Sequence, residues 1–147
     1  MSGRKRGNAI VREEPRDASI EARSIAREAA RAHQMSLASG TPSVVISMVP
    51  SHVYRVFWLN LPRRFCDGNL PETKSKLTLE DEEGNEFTVV FIPERYGLSG
   101  GWVSFAREKK LHDGDAVVLE QIEKTRLKVS LLALNTNIID LTMALPS

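Results

Sequence analysis

The stretch "SGGWVSFAREKKLHDGDAVVLEQI", residues 99–122, decides the fold. Two glycines and a tryptophan open a segment in which Trp102, Phe105 and Ala106 fall at i, i+3 and i+4, one face of a helix. Lys109 and Lys110 follow where a helix C-terminus favours cations. Asp113-Gly114-Asp115 then ends the helix, because Gly114 can take a left-handed turn, and "AVVLEQIE" (116–123) continues as a strand. Three functions compete for this pattern. Helix N-termini hold anions, but the pair Gly100-Gly101 lies in neither GxxxxGK[S/T] nor GxGxxG, so no nucleotide fingerprint is present. "DGD" lacks the further oxygen ligands and closing Glu of a calcium loop. Scaffold is the reading that remains: a short helix laid on a core, turning into a core strand.

Outward from this segment the periodicity is that of strands. "SVVISMV" (43–49) is β-branched and apolar and stops at Pro50; "RVFWLNLP" (55–62) alternates in part and stops at Pro62. "RRFCDGNLP" (63–71) fits a short helix with Phe65 inward. "SKLTLEDEEGNEFTVVFI" (75–92) reads as a hairpin, with Leu77 and Leu79 alternating before a Gly84-Asn85 turn and Phe87, Val89 and Phe91 after it. "RLKVSLLAL" (126–134) pairs with 116–123 around Lys124-Thr125. Six or seven strands with two short helices predict a mainly β domain, a small barrel or sandwich rather than a βαβ sheet.

Ahead of this lies "PRDASIEARSIAREAARAHQMSLA" (15–38), a helical pattern that Asp17 or Ser19 could cap. Its apolar side, Ile20, Ile25, Ala29 and Ala32, is poor in large groups, so the helix is expected to be exposed or frayed. "SGTP" (39–42) marks a boundary. The division is therefore an N-terminal extension (1–42), basic and partly helical or disordered; a β domain (43–134); and a tail (135–147).

Composition narrows the function. Hydrophobic residues make up 41% and charged residues 27%, values of an ordinary globular chain. The single cysteine, Cys66, can form no internal disulfide, which points to a reducing compartment. No apolar run nears the roughly 18 residues that span a membrane, and the first residues lack the apolar core of a secretory leader. The formal charge of +1 conceals segregation. Residues 44–64 hold Arg55, Arg63 and Arg64 and no acid, whereas "LEDEEGNE" (79–86) holds five acids and no base. Such a distribution permits a polyanion partner.

At this point a resemblance emerges. "GGWVSFAREKKLHDGDAVVLE" resembles the second half of the plant-specific B3 DNA-binding domain, in which a Trp opens a helix and L-x-x-G-D leads into a core strand. "VVISMVPSHVYRVFWLNLPRRF" (44–65) is similar to its first half: strand, "PSHV" loop, second strand ending Leu-Pro, short helix. The match keeps element order and spacing over residues 43–134. It implies an open seven-stranded barrel, a DNA-binding pseudobarrel with a flexible or helical N-terminal extension, whose two arms enter the major groove of double-stranded DNA. Carried onto this chain, the arms are Pro50–Trp58 and Pro93–Gly101. Ser51 and His52 are then expected to donate to phosphate, Arg55 to bind phosphate or a guanine edge, and Arg63 and Arg64 to neutralise backbone charge. Arg95 and Tyr96 are the contacts of the second arm, and Lys109 adds charge from the following helix with Arg107 and Lys110. The resemblance also implies a plant nucleus and a role in transcription, no enzyme activity and no cofactor. Phe57-Trp58 stands where sequence-reading members carry a polar or basic residue, so Trp58 is expected to pack. The second arm, "PERYGLSGG", lacks a Trp-Asn-Ser type of cluster. Both features resemble the reproductive-meristem branch, in which DNA binding can be weakly selective.

Two other functions are considered. Catalysis would need a pair such as Cys66 and His52 with a third group, and none is suggested. A protein-interaction module would use the barrel surface, self-association through the 15–38 helix, or the apolar tail "NTNIIDLTMALPS" (135–147). "RKR" at 4–6 is a minimal basic cluster compatible with nuclear import.

Overall fold

β-Branched and apolar residues set the strand framework. β1 (Ser43–Ser47), β2 (Leu59–Asn60), β3 (Ser75–Glu80), β4 (Glu86–Ile92), β5 (Gly97–Leu98), β6 (Ala116–Glu123) and β7 (Arg126–Leu132) form one sheet in the order β1-β6-β7-β3-β4-β5-β2. This computed structural model describes residues 18–38 and 40–132; Asp17, the 4–6 basic cluster and the 135–147 tail lie outside them. All neighbouring strands are antiparallel except β3 and β7, which run parallel through Leu79↔Leu127. The sheet curls around Met48, Leu59, Leu77, Leu79, Val89, Phe91, Leu98, Trp102, Phe105, Leu119, Leu127 and Val129, all buried. The seven strands and open barrel agree with the expectation.

Both expected hairpins are present, and the second carries a bulge between Gln121 and Glu123. The short helices α3 (Arg63–Cys66) and α4 (Trp102–Glu108) also stand where the sequence puts them. Phe65 points inward, and Trp102, Phe105 and Ala106 form the buried face of α4.

Three segments differ. "PSHV" is not a loop but a helical turn, α2 (Pro50–Val53), started by Pro50 in its first turn. Residues 55–58 are not strand. Arg55 and Phe57 take positive φ of 52° and 51°, which interrupts the alternation read there, so only Leu59 and Asn60 pair with β5.

The third difference is the N-terminal helix. α1 (Ile20–Met35) is capped by Ser19, whose hydroxyl accepts from the Ala22 amide at 3.0 Å. It neither frays nor stands apart: Ala26 and Ala30, at i and i+4, are wholly buried against Ala116 and Val118 of β6. Ile20, on the apolar side read from the sequence, is 86% exposed. Small side chains let the helix backbone approach the sheet closely, and this explains why Ala116 to Leu119 are all buried instead of alternating. β6 is covered by the barrel core on one face and by α1 on the other.

The acidic hairpin turn is stitched to α4. Asp81 is buried and accepts from the amides of Glu83 at 2.9 Å and Asn85 at 2.8 Å. Its second oxygen accepts from Asn85 Nδ2 and from Lys109 Nζ. Burial alone would raise the Asp81 pKa. The hydrogen bonds from Lys109, Asn85 and Glu83 outweigh it and hold the carboxyl well below the usual carboxylate range.

Gly101 ties α4 to the sheet. It has φ +89°, and a Cβ there would stand 2.0 Å from the Thr88 carbonyl oxygen. Gly101→Ala is expected to destabilise the chain by about 2–5 kcal/mol, from left-handed strain plus overpacking, read as a lowered thermal midpoint. The Asp81 contribution to stability is present above the unfolded carboxyl pKa of about 4 and is lost as pH falls towards the depressed folded value. Asp81→Asn should therefore flatten the acid limb of a stability–pH profile measured by denaturant unfolding.

Candidate nucleic-acid interface

The two arms meet at the β2 edge of the sheet. β2 and β5 pair through Leu59↔Leu98 and Asn60↔Gly97, and the Leu61 amide donates to the Tyr96 carbonyl at 2.8 Å. The first arm, residues 50–58, folds back on itself: the Tyr54 amide bonds to Pro50 O and the Trp58 amide to Ser51 O. The second arm begins with a 3₁₀ turn at Pro93–Arg95, closed by Tyr96 at φ +48°. Non-glycine residues with positive φ cost of order 1–3 kcal/mol each and cluster at functional sites. Three of the four among the described residues, Arg55, Phe57 and Tyr96, lie in the arms; the fourth, Lys110, follows α4.

Three aromatics of the arms, Trp58, Tyr96 and Phe57, each carry an arginine. The Arg95 guanidinium lies 4.5 Å from the Trp58 ring centroid, Arg63 lies 5.1 Å from Tyr96, and Arg107 of α4 lies 5.1 Å from Phe57. A guanidinium on an aromatic face gains about 0.5–1 kcal/mol at an exposed site and loses freedom without losing its outward donors. Trp58 therefore packs as expected, and it also serves as the platform for Arg95. Its indole N–H is bonded to Asn60 Oδ1 at 2.5 Å. Gly97 makes this possible, since a Cβ there would stand 2.2 Å from the Trp58 ring. Arg63, Arg95 and Arg107 remain exposed. Arg63 also has Asp67 at 3.7 Å, one helical turn on and itself exposed, and Glu94 is the acid of the second arm.

Beside the first arm the surface dips into a cleft of about 480 Å³ lined by Tyr54, Arg55, Phe57, Arg107, Lys110 and His112. Arg55 is exposed at its mouth. Arg107 and Lys110 thereby join the basic face more closely than their place in the sequence suggested. The pairing of Phe57 with Arg107 across fifty residues leaves no local signal.

The other expected contacts fall differently. Ser51 is exposed at the start of the first arm. His52 is 6% exposed, and its Nδ1 accepts from the Val49 amide at 3.3 Å. Burial pushes its pKa below the usual histidine range, so the ring is a neutral, buried part of the α2 turn rather than the surface group the sequence suggested. Lys109 is joined to Asp81 and also faces Glu83 at 3.6 Å, so its charge is taken up within the chain. Arg64 is exposed and lines a groove with Arg31 and Gln34. Cys66 is buried, and burial followed by the neighbouring Asp67 pushes its thiol up to about 11, an inert packing residue at neutral pH.

Comparisons with known proteins agree with this architecture. Residues 44–135 match the model of the B3 DNA binding domain. The chain is 48% identical over 120 residues to At5g58280 of Arabidopsis thaliana, covering 82% of this chain and 44% of that protein. It is 46% identical over 135 residues to the B3 domain-containing protein Os05g0481400 of Oryza sativa subsp. japonica, covering 88% and 48%. It is 41% identical over 130 residues to the B3 domain-containing protein At5g42700 of Arabidopsis thaliana, covering 86% and 58%. The chain thus spans about half the length of the curated relatives it matches. Among solved structures, the Arabidopsis thaliana protein At1g16640.1 superposes with a TM-score of 0.55 at 19% identity, over 66% of this chain and 95% of that one. The N-terminal domain of Helicobacter pylori LlaJI.R1 gives 0.51 at 8% identity, over 69% and 91%. Both are likenesses of fold.

The Trp58 platform can be tested without a ligand. In Gly97→Ala the added methyl must displace the indole, so the Trp58 emission is expected to shift to the red while buried Trp102 keeps its blue component. An unchanged emission spectrum would show that Trp58 does not rest on Gly97.

Proposed function

This chain belongs to the B3 DNA-binding domain family, and we propose on that premise that it binds double-stranded DNA through its face of arginine-bearing aromatics. The observation that carries the reading is that Arg63, Arg95 and Arg107, from three separate elements, lie on Tyr96, Trp58 and Phe57 of the two arms. Held arginines need little further ordering on contact with a fixed array of phosphates. Arg55, Arg95 and Tyr96 act from the arms, which enter the major groove; Ser51 and Arg63 hold the phosphates on either side, and Arg64 reaches flanking backbone. Capture of Lys109 by Asp81 and Glu83 supports this arrangement, because it reduces the repulsion that the acidic turn would otherwise exert on a polyanion.

Phosphate contacts dominate such a face and carry no base information by themselves. Four or five arginines on phosphate correspond to a slope of about −4 in log affinity against log salt, at roughly 0.9 per contact. Base preference is modest, as in the reproductive-meristem branch that the arms resemble. The chain works by binding and not by catalysis: the Cys66 thiol is held protonated and His52 is engaged in its own turn. Transcriptional regulation in a nucleus is the setting proposed with it; that the setting is a plant is supported by relatives from rice and Arabidopsis.

Titration against a random-sequence duplex pool at two salt concentrations, with sequencing of the bound fraction, tests the reading. Salt-steep binding supports it, and an enriched motif would add sequence specificity. No binding at low salt would overturn it in favour of a protein partner. Arg55→Glu and Arg95→Glu should each weaken binding at least tenfold, whereas Lys124→Glu on the β6–β7 turn should not. Equal losses at all three positions would refute the arm assignment.

A further inference from the structure

Helix α1 precedes the stretch matched by the family model, which starts at residue 44, yet its first turns are bonded to the root of the first arm. Arg23 Nη2 meets both carboxylate oxygens of Asp113, at 2.7 and 2.6 Å. Its Nη1 donates to the Met48 carbonyl at 3.2 Å, just ahead of the arm. The Asp113 side chain is 0% exposed and also accepts from the Ala18 amide at 2.7 Å. Asp113 in turn donates its own amide to the Tyr54 hydroxyl, inside the arm, at 3.0 Å. The neighbouring backbone closes the circuit: Gly114 N–H to Met48 O at 2.9 Å, and Met48 N–H to Asp115 O at 2.7 Å. A Cβ on Gly114 would stand 2.3 Å from that of Ala18, so the helix entry lies flush on this turn.

We propose that Arg23 and Asp113 are positioning residues for DNA recognition, α1 acting as a strap that holds the first arm in its binding pose from outside the barrel. The inference rests on the DNA-binding reading above. Asp113, through its carboxylate and its amide, joins the start of α1 to the first arm, and the joint is directional. A planar guanidinium satisfies two carboxylate oxygens and a carbonyl together, which an ammonium cannot reproduce. Without Arg23 the buried carboxylate has lost its counter-charge, and the turn that anchors Tyr54 is held more weakly. The residue after Tyr54 is Arg55, in the left-handed region. Such a conformation persists only while its surroundings over-determine it. Loosening the joint therefore frees the arm that carries Arg55 and Phe57.

The test compares Arg23→Ala, Arg23→Lys and Tyr54→Phe in the full chain, with Arg27→Ala as control. Arg27 is also on α1 and reaches only an exposed bond to Ser47 Oγ. Hydrogen exchange is read on the free protein, and affinity for the duplex pool is read as a function of salt. Arg23→Ala should speed exchange at the Tyr54, Trp58 and Asp113 amides at least tenfold, leaving the β3–β4 hairpin unchanged. It should weaken DNA binding about fivefold or more with an unaltered salt slope. Arg23→Lys should fall between, Tyr54→Phe should loosen the arm likewise, and Arg27→Ala should match the parent. Unchanged arm exchange overturns the proposal, as does unchanged affinity. A shallower salt slope without arm loosening would make Arg23 a phosphate contact instead. Failure of the parent chain to bind the pool would sink the DNA reading, and exchange alone would then decide whether the strap holds the arm.

Discussion

The Trp102 indole N–H donates to the backbone carbonyl of His52 at 2.7 Å, fully buried, across fifty residues of chain. Much else hangs on this bond. A buried N–H without a partner costs about 1–3 kcal/mol, so Trp102 and the α2 turn must be set together. Trp102 stacks on Phe105 with centroids 5.5 Å apart, and Phe105 meets Phe87 of β4 edge-on at 5.0 Å. Gly101, directly before it, presses on the Thr88 carbonyl. The root of the first arm, helix α4 and the acidic hairpin are thereby fixed by one side chain and its immediate neighbours. The glycine pair before Trp102 serves packing, not phosphate.

Charge follows the same division between frame and face. The chain is near neutral, but its acids and bases are sorted. Lys109 is drawn into the frame by Asp81, and Arg126 is held by Glu80 and Glu86 on the strands. Arg23 is held by Asp113. Arg63, Arg95 and Arg107 instead lie on aromatic rings, which orient a cation without neutralising it. A count of basic residues says little about this molecule; the kind of partner each one has says much more.

Both hairpins and the buried face of α4 were legible in the sequence, since alternation at 75–92 and the 102–106 spacing report local geometry directly. The errors share a cause. His52 and Lys109 read as surface donors because their partners, the Val49 amide and Asp81, are a matter of chain path rather than composition. Residues 55–58 read as strand because nothing local marks a left-handed arginine or phenylalanine. The docking of α1 was missed because a side poor in large apolar groups was taken to bury little, whereas Ala26 and Ala30 allow the closer approach. A signal did exist. "AVVL" at 116–119 does not alternate, and a strand apolar on both sides calls for a second cover.

The left-handed residues of the arms bear on which partner does the adapting. Glycine at Arg55, Phe57 or Tyr96 would relieve strain but give the loops many more shapes to abandon on binding. As built, the arms are stiff, braced by rings, by the frame and by each other across β2 and β5. On the DNA-binding reading proposed above, a stiff wedge meeting a groove would pass the work of accommodation to the duplex, and the ease with which a given step bends or opens would become part of what is recognised. For such a surface the mechanical properties of the DNA matter alongside its base edges.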